Sequence, residues 1–185
     1  MRSRVALTAA TAATTVAVTI VVSAAPAIAT SPAKAKVKKI TVTSAAFGNN
    51  QSIPIAFTCD GASASPPLQY TGVPKSARDR ALIMADPDAP TGTIVHWVAW
   101  HLPKRGLPEQ SVRARIVQGT NTLGKQAYAG PCPPPGTAPH HYTFTVYAVS
   151  KPIDLAPGAS VDDLRAALKG KVVGQGALIG TYQRA

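Results

Sequence analysis

Residues Tyr142–Ser150 read YTFTVYAVS, β-branched or aromatic almost throughout. That composition suits a strand packed on a pleated, half-buried surface. The stretches around it repeat the theme. RALIMADP (80–87) is a near-continuous apolar run, as expected of a strand covered on both faces. VHWVAWHL (95–102) alternates aromatic and small residues, and RARIVQG (113–119) has the look of a shorter edge strand. KITVTSAAF (39–47), IPIAFTC (53–59), PPLQYTGVP (66–74) and GQGALIGTYQR (174–184) add further strand candidates. Only SVDDLRAALKG (160–170) predicts a helix: Ser160 as N-cap, Asp162 and Asp163 in the first turn, Leu164 and Leu168 on one face, Gly170 as the stop. Many short strands, frequent Pro and Gly and one late helix predict a mainly β fold, an antiparallel sandwich or barrel-like domain. No internal repeat is visible.

The first residues do not belong to that domain. A positive start (MRSR), an apolar run diluted with Thr, and small residues at Ala27 and Ala29 are the three parts of an export signal. Residues 1–29 are therefore expected to be removed after Ala29, giving a secreted or cell-envelope protein. A tail, residues 30–39, and one domain, residues 40–185, follow. The chain is basic, with 19 Lys and Arg against 8 Asp and Glu. Such a balance invites nucleic acid or an anionic surface as partner. The bases are scattered, however, except for Lys34, Lys36, Lys38 and Lys39, and no recognition helix or aromatic-basic interleaving accompanies them. Nucleic acid is not expected. The lysine cluster reads as a flexible solvated tail, with contact to an anionic membrane as its functional alternative. Cys59 and Cys132 form an even pair in an exported chain and predict a disulfide.

The unusual polar residues gather where strands run out. Asp86-Pro87-Asp88-Ala89-Pro90 follows a buried strand, His96 opens the next, and the proline-rich loop GPCPPPGTAPHH (130–141) leads into Tyr142. Taken alone, an Asp-Pro-Asp sequence is a turn that satisfies its own backbone. The prolines nevertheless hold both carboxylates in preset positions, and nearby histidines give them something to act on. Asp86, Asp88, His96 and His140 are acceptable metal-ligand types, yet no HxH or HExxH spacing supports a metal site. No GxSxG supports a serine nucleophile, and a disulfide would consume the thiols. The set fits an anion pocket better. His96, His140 and Tyr142 can donate to phosphate, Gly130 would let a ligand approach its N–H, Asp86 would share a proton or orient a histidine, and Asp88 would organise its loop. His101 and His141 alternate to the other strand face and read as surface residues.

ALIMADPDAP, then HWVAWHLP, then GPCPPPGTAPHHYTFTVYAV closely resemble the two signature regions of the phosphatidylethanolamine-binding protein family, in its bacterial Raf kinase inhibitor-like branch. The resemblance extends from FTCDGASASPPLQYTGVP to GQGALIGTYQR. It implies a Greek-key antiparallel β-sandwich with one or two short helices near the C-terminus. It also implies a ligand pocket drawing on Asp86, Asp88, Pro90, His96, Gly130, Pro131, His140 and Tyr142. No catalytic residue, metal or cofactor comes with it. The implied partners are a phosphate-bearing small molecule or phospholipid head group, with inhibition of a serine protease or kinase through surface loops as the alternative. The chain departs from the eukaryotic pattern in its short loop between Pro90 and His96, in Cys132 within the proline loop, and in ending on IGTYQRA without a pocket-covering helix.

Overall fold

The computed structural model describes residues 36–111 and 116–185. The expected export signal and residues 30–35 of the expected tail lie outside the described residues. In chain order the strands are β1 (Lys38–Lys39), β2 (Thr41–Thr43), β3 (Gln51–Ser52), β4 (Leu68–Thr71), β5 (Asp79–Asp86), β6 (Ile94–Trp100), β7 (Gly106–Leu107), β8 (Val117–Gln118) and β9 (His140–Val149). Helix α1 (Val161–Leu168) and strand β10 (Val172–Tyr182) complete the fold.

The larger sheet runs β1-β10-β9-β5-β6-β8, with β3 also on β10, and the smaller runs β2-β4-β7. The strands from β10 to β8 pair antiparallel, as expected. The short strands β1 and β3 instead lie parallel to β10, so the sheet is mixed rather than purely antiparallel. Gly176 permits this closeness, because a Cβ there would sit 1.9 Å from the Ile40 carbonyl oxygen.

The central strands are apolar on both faces because both are covered. Leu82, Met84, Trp97, Ala99, Phe144 and Val146 pack with Val42, Leu68, Tyr70 and Leu107 of the small sheet. On the opposite face Ile83, Val98 and Trp100 pack with Val161, Leu164 and Leu168 of α1. This explains the unbroken run in β5: alternate residues serve two cores. Helix α1 begins as expected, with Ser160 and Asp163 forming a reciprocal capping box that contributes about 1 kcal/mol.

Two expectations need correction. Residues 53–59 are not a strand: Ile55–Phe57 form a 3-10 turn, with Phe57 N–H donating to Pro54 O (2.9 Å) and Thr58 N–H to Ile55 O (3.0 Å). Pro54 presets the turn, and Ile53 and Phe57, four apart, point inward while Ile55 is 60% exposed. The expected flexible tail also ends earlier, because Lys38 and Lys39 form β1, with both side chains exposed.

Candidate functional site

The site begins with an irregularity in β5–β6. Met84 pairs with Trp97 but Ala85 pairs with Val95, so His96 is the extra residue of a bulge. Freed from the ladder, its carbonyl accepts from the Ala129 N–H (3.0 Å) and from Asn121 Nδ2 (3.0 Å). Its ring turns the other way. His96 Nδ1 lies 3.0 Å from the Ala129 carbonyl, and because a carbonyl only accepts, Nδ1 carries the proton. Nε2 is then a bare lone pair, buried and without a partner. Burial, the largest cause, lowers the His96 pKa, with the His140 charge adding to it; the Ala129 and Gly130 backbone and the Asp86 charge oppose it.

Tyr142 stands edge-on to that ring, with centroids 5.3 Å apart and planes at 82°. Its hydroxyl is likewise buried and makes no hydrogen bond of close geometry. The Asp86 carboxylate and the Cys132 backbone are its polar neighbours, and Tyr142 does not itself line the pocket. Its pKa is pushed far up, first by burial and then by the charge of Asp86, so at neutral pH it remains a donor. Asp86, 2% exposed, has both oxygens engaged: Oδ1 accepts the Asp88 N–H (2.9 Å) and Oδ2 faces His140 Nδ1 at 2.8 Å. A carboxylate orienting a histidine is what the sequence predicts for Asp86, and the ring it meets is His140. With Nδ1 committed, His140 Nε2 is the atom left for a ligand. Asp88 reaches β9 instead, accepting from the backbone N–H and Nδ1 of His141, each at 2.7 Å.

Asp86, Pro90, His96 and His140, with Ala89, Thr91, Ile94, Leu123 and the Cys132–Pro134 segment, line a pocket of about 220 Å³. Its size suits a small head group. Among the described residues its lining contains no Lys or Arg. A larger groove of about 670 Å³ crosses β4 and β7, lined by residues such as Gln69, Thr71 and Arg105. None of its lining residues carries a buried unpaired polar atom, so the smaller pocket is the better candidate. Among the described residues no group of His, Cys, Asp and Glu is arranged to hold a metal ion.

Gly130 and Pro131 support the pocket from behind. The Gly130 N–H, expected to face a ligand, donates to Ser63 Oγ (2.9 Å). A Cβ on Gly130 would lie 2.8 Å from the Phe57 carbonyl oxygen, so the residue serves close packing. Pro131 accepts from the Cys59 N–H (3.0 Å), and the Tyr128 hydroxyl donates to Phe57 O (2.7 Å). Cys59 and Cys132 form the expected disulfide, with Cα atoms 5.4 Å apart. The loop behind the pocket is thus stitched to residues 57–63 at four points. Residue chemistry alone missed Ala129, Ser63 and Asn121. A carbonyl has no side-chain signature, whereas Asn121, accepting from Leu123 and Lys125 N–H groups, heads a recognisable Asx turn. His101, read as a surface residue, pairs with the buried Asp79 at 2.7 Å, well away from the pocket in sequence and sheet position.

The Asp88 carboxyl is held below its ordinary value of 3.8, first by the hydrogen bond from the His141 side chain. A depressed carboxylate pKa lends stability that is complete above 3.8 and lost as pH falls through the depressed value. Both side chains are largely exposed, so the contribution is at most about 1 kcal/mol. The Tm of Asp88→Asn should lie below that of wild type at about pH 6, and the gap should narrow as the pH falls below 3.8. A gap that widens in acid would contradict the pairing.

A two-sheet β fold holding a small, partly buried pocket, mostly apolar with a few convergent polar groups, is the frame of a small-ligand binding protein. The chain belongs to the phosphatidylethanolamine-binding protein family, whose match covers residues 43–183. It is 42% identical over 149 residues to the UPF0098 protein PH1269 of Pyrococcus horikoshii, covering 76% of this chain and 75% of that one. It is 38% identical over 157 residues to LppC of Mycobacterium tuberculosis, a protein named as a lipoprotein, with 84% and 77% covered. Among solved structures, the family homologue CT736 of Chlamydia trachomatis aligns with a TM-score of 0.75 at 34% identity, over 80% of this chain and 99% of that one. YbcL of E. coli aligns with a TM-score of 0.73 at 26% identity, over 79% and 99%.

Proposed function

We propose that the protein is an exported, non-enzymatic binding protein whose pocket takes a phosphate-bearing small molecule or head group. One observation carries this reading: His96 lines the pocket with its Nε2 buried and unpaired, and the Tyr142 ring stands edge-on to it. Leaving a polar atom buried without a partner costs about 1–3 kcal/mol, a cost that a ligand donating to Nε2 would remove. The rigid Asp-Pro-Asp-Ala-Pro wall adds preorganisation. Export is supported by the leader-like residues 1–29 and by the lipoprotein name of the M. tuberculosis relative. The exposed Lys38 and Lys39 favour approach to an anionic surface.

Calorimetric titration with phosphoethanolamine and inorganic phosphate tests the assignment. His96→Ala and Tyr142→Phe should each weaken binding about tenfold or more, the worth of one hydrogen bond to a charged group. Affinities equal to wild type in both variants would move the site elsewhere. Inhibition of a protease or kinase that survives His96→Ala would place the function on the surface loops.

A further inference from the structure

Resting on the phosphate pocket proposed above, we propose that the pocket selects a singly protonated phosphate, a phosphomonoester in its acid form, with the P–OH donating to His96 Nε2. The Ala129 carbonyl at 3.0 Å claims the Nδ1 proton of His96, and Asp86 Oδ2 at 2.8 Å claims that of His140. His96 therefore offers the ligand a lone pair at Nε2. Tyr142, edge-on to the His96 ring, adds a hydroxyl donor beside that ring. No Lys or Arg lines the pocket among the described residues, and one buried carboxylate does.

A phosphate dianion brings only acceptors and two negative charges to such a wall. The mismatch would leave Nε2 unpaired and set the dianion against Asp86. A monoprotonated phosphate supplies the missing hydrogen to Nε2 and accepts from Tyr142. The proton stays on the ligand, because burial disfavours the imidazolium of His96. The groups facing His96 are Asp86 from β5, His140 and Tyr142 from β9, and the Ala129 and Gly130 backbone of the loop.

The same chemistry separates two ligand sources. A free phosphomonoester has a second ionisation near pH ~6 and can carry the proton. The phosphodiester of an intact phospholipid has no second proton to give. Methyl phosphate and dimethyl phosphate are a matched pair for this difference. At about pH 6, where the monoester is roughly half protonated, wild-type protein should bind methyl phosphate at least about tenfold more tightly than dimethyl phosphate. From about pH 7.5 to about pH 9, methyl phosphate affinity should fall about tenfold per pH unit. Calorimetry in buffers of different ionisation enthalpy should then register uptake of about one proton. Dimethyl phosphate should bind without proton uptake.

Equal binding of both esters, methyl phosphate binding without proton uptake, or proton uptake by the diester would overturn this inference. Each of those results leaves the phosphate pocket in place. Failure of both esters and of phosphoethanolamine to bind at any pH would remove the pocket reading, and this inference with it.

Discussion

Replacing both cysteines, Cys59→Ser with Cys132→Ser, should lower the unfolding free energy by about 4 kcal/mol, measured by urea denaturation. The bridge joins residues 73 apart in sequence. On the chain-entropy account, closing a loop of that length restricts the unfolded chain by about that amount. The pocket should respond far less. Cys132 lines it, but the loop remains held by Pro131 O to Cys59 N–H, Gly130 N–H to Ser63 and the Tyr128 hydroxyl to Phe57. Methyl phosphate affinity, measured where the variant is still folded, should change by no more than about threefold, well under the worth of one hydrogen bond. A large affinity loss with little change in stability would invert the roles assigned to bridge and hydrogen bonds.

Asp86 should be the most sensitive polar position. Asp86→Ala leaves the buried His140 Nδ1–H and the part-buried Asp88 N–H without acceptors. Unpaired buried donors cost about 1–3 kcal/mol each, so a loss of about 3 kcal/mol is expected in denaturant unfolding, together with loss of ligand binding. Asp86→Asn is subtler. The Asp88 backbone N–H can only donate, so the Asn oxygen must face it and the Asn NH₂ must face His140. His140 Nδ1 then becomes the acceptor and Nε2 takes the proton. Nitrogen NMR of the ring should show that tautomer exchange. With a donor gained and a negative charge lost, dimethyl phosphate should bind more tightly to Asp86→Asn than to wild type. Unchanged tautomer and unchanged diester binding would show that Asp86 does not set the polarity of the pocket.

The sequence is most readable where local and tertiary demands agree. β5 announces itself because it is covered on two faces and so is apolar along most of its length, and β9 because one face is wholly buried beneath a β-branched and aromatic run. Helix α1 is legible from its caps alone. Residues 53–59 mislead because apolar residues four apart satisfy a 3-10 turn as readily as a strand, and only the packing of Ile53 and Phe57 decides between them. In the pocket, Asp86, His96 and His140 stand out by chemistry, and the structure gathers them on one lining. Gly130 reads as a ligand-facing glycine until the position of Ser63 is known. The tautomer of His96 depends on a carbonyl, which belongs to every residue and marks none. His141 reads as a bystander because strand alternation sends it away from His140, yet Asp88 extends far enough to catch it.

The last strand has a consequence for the order of assembly. β10 pairs with β9 along one edge and receives β1 and β3 in parallel on the other. Until residues 172–182 are present, the N-terminal strands β1 and β3 have no partner in the large sheet, and β9 has one bare edge. The large sheet therefore reaches its full strand order only once β10 is in place.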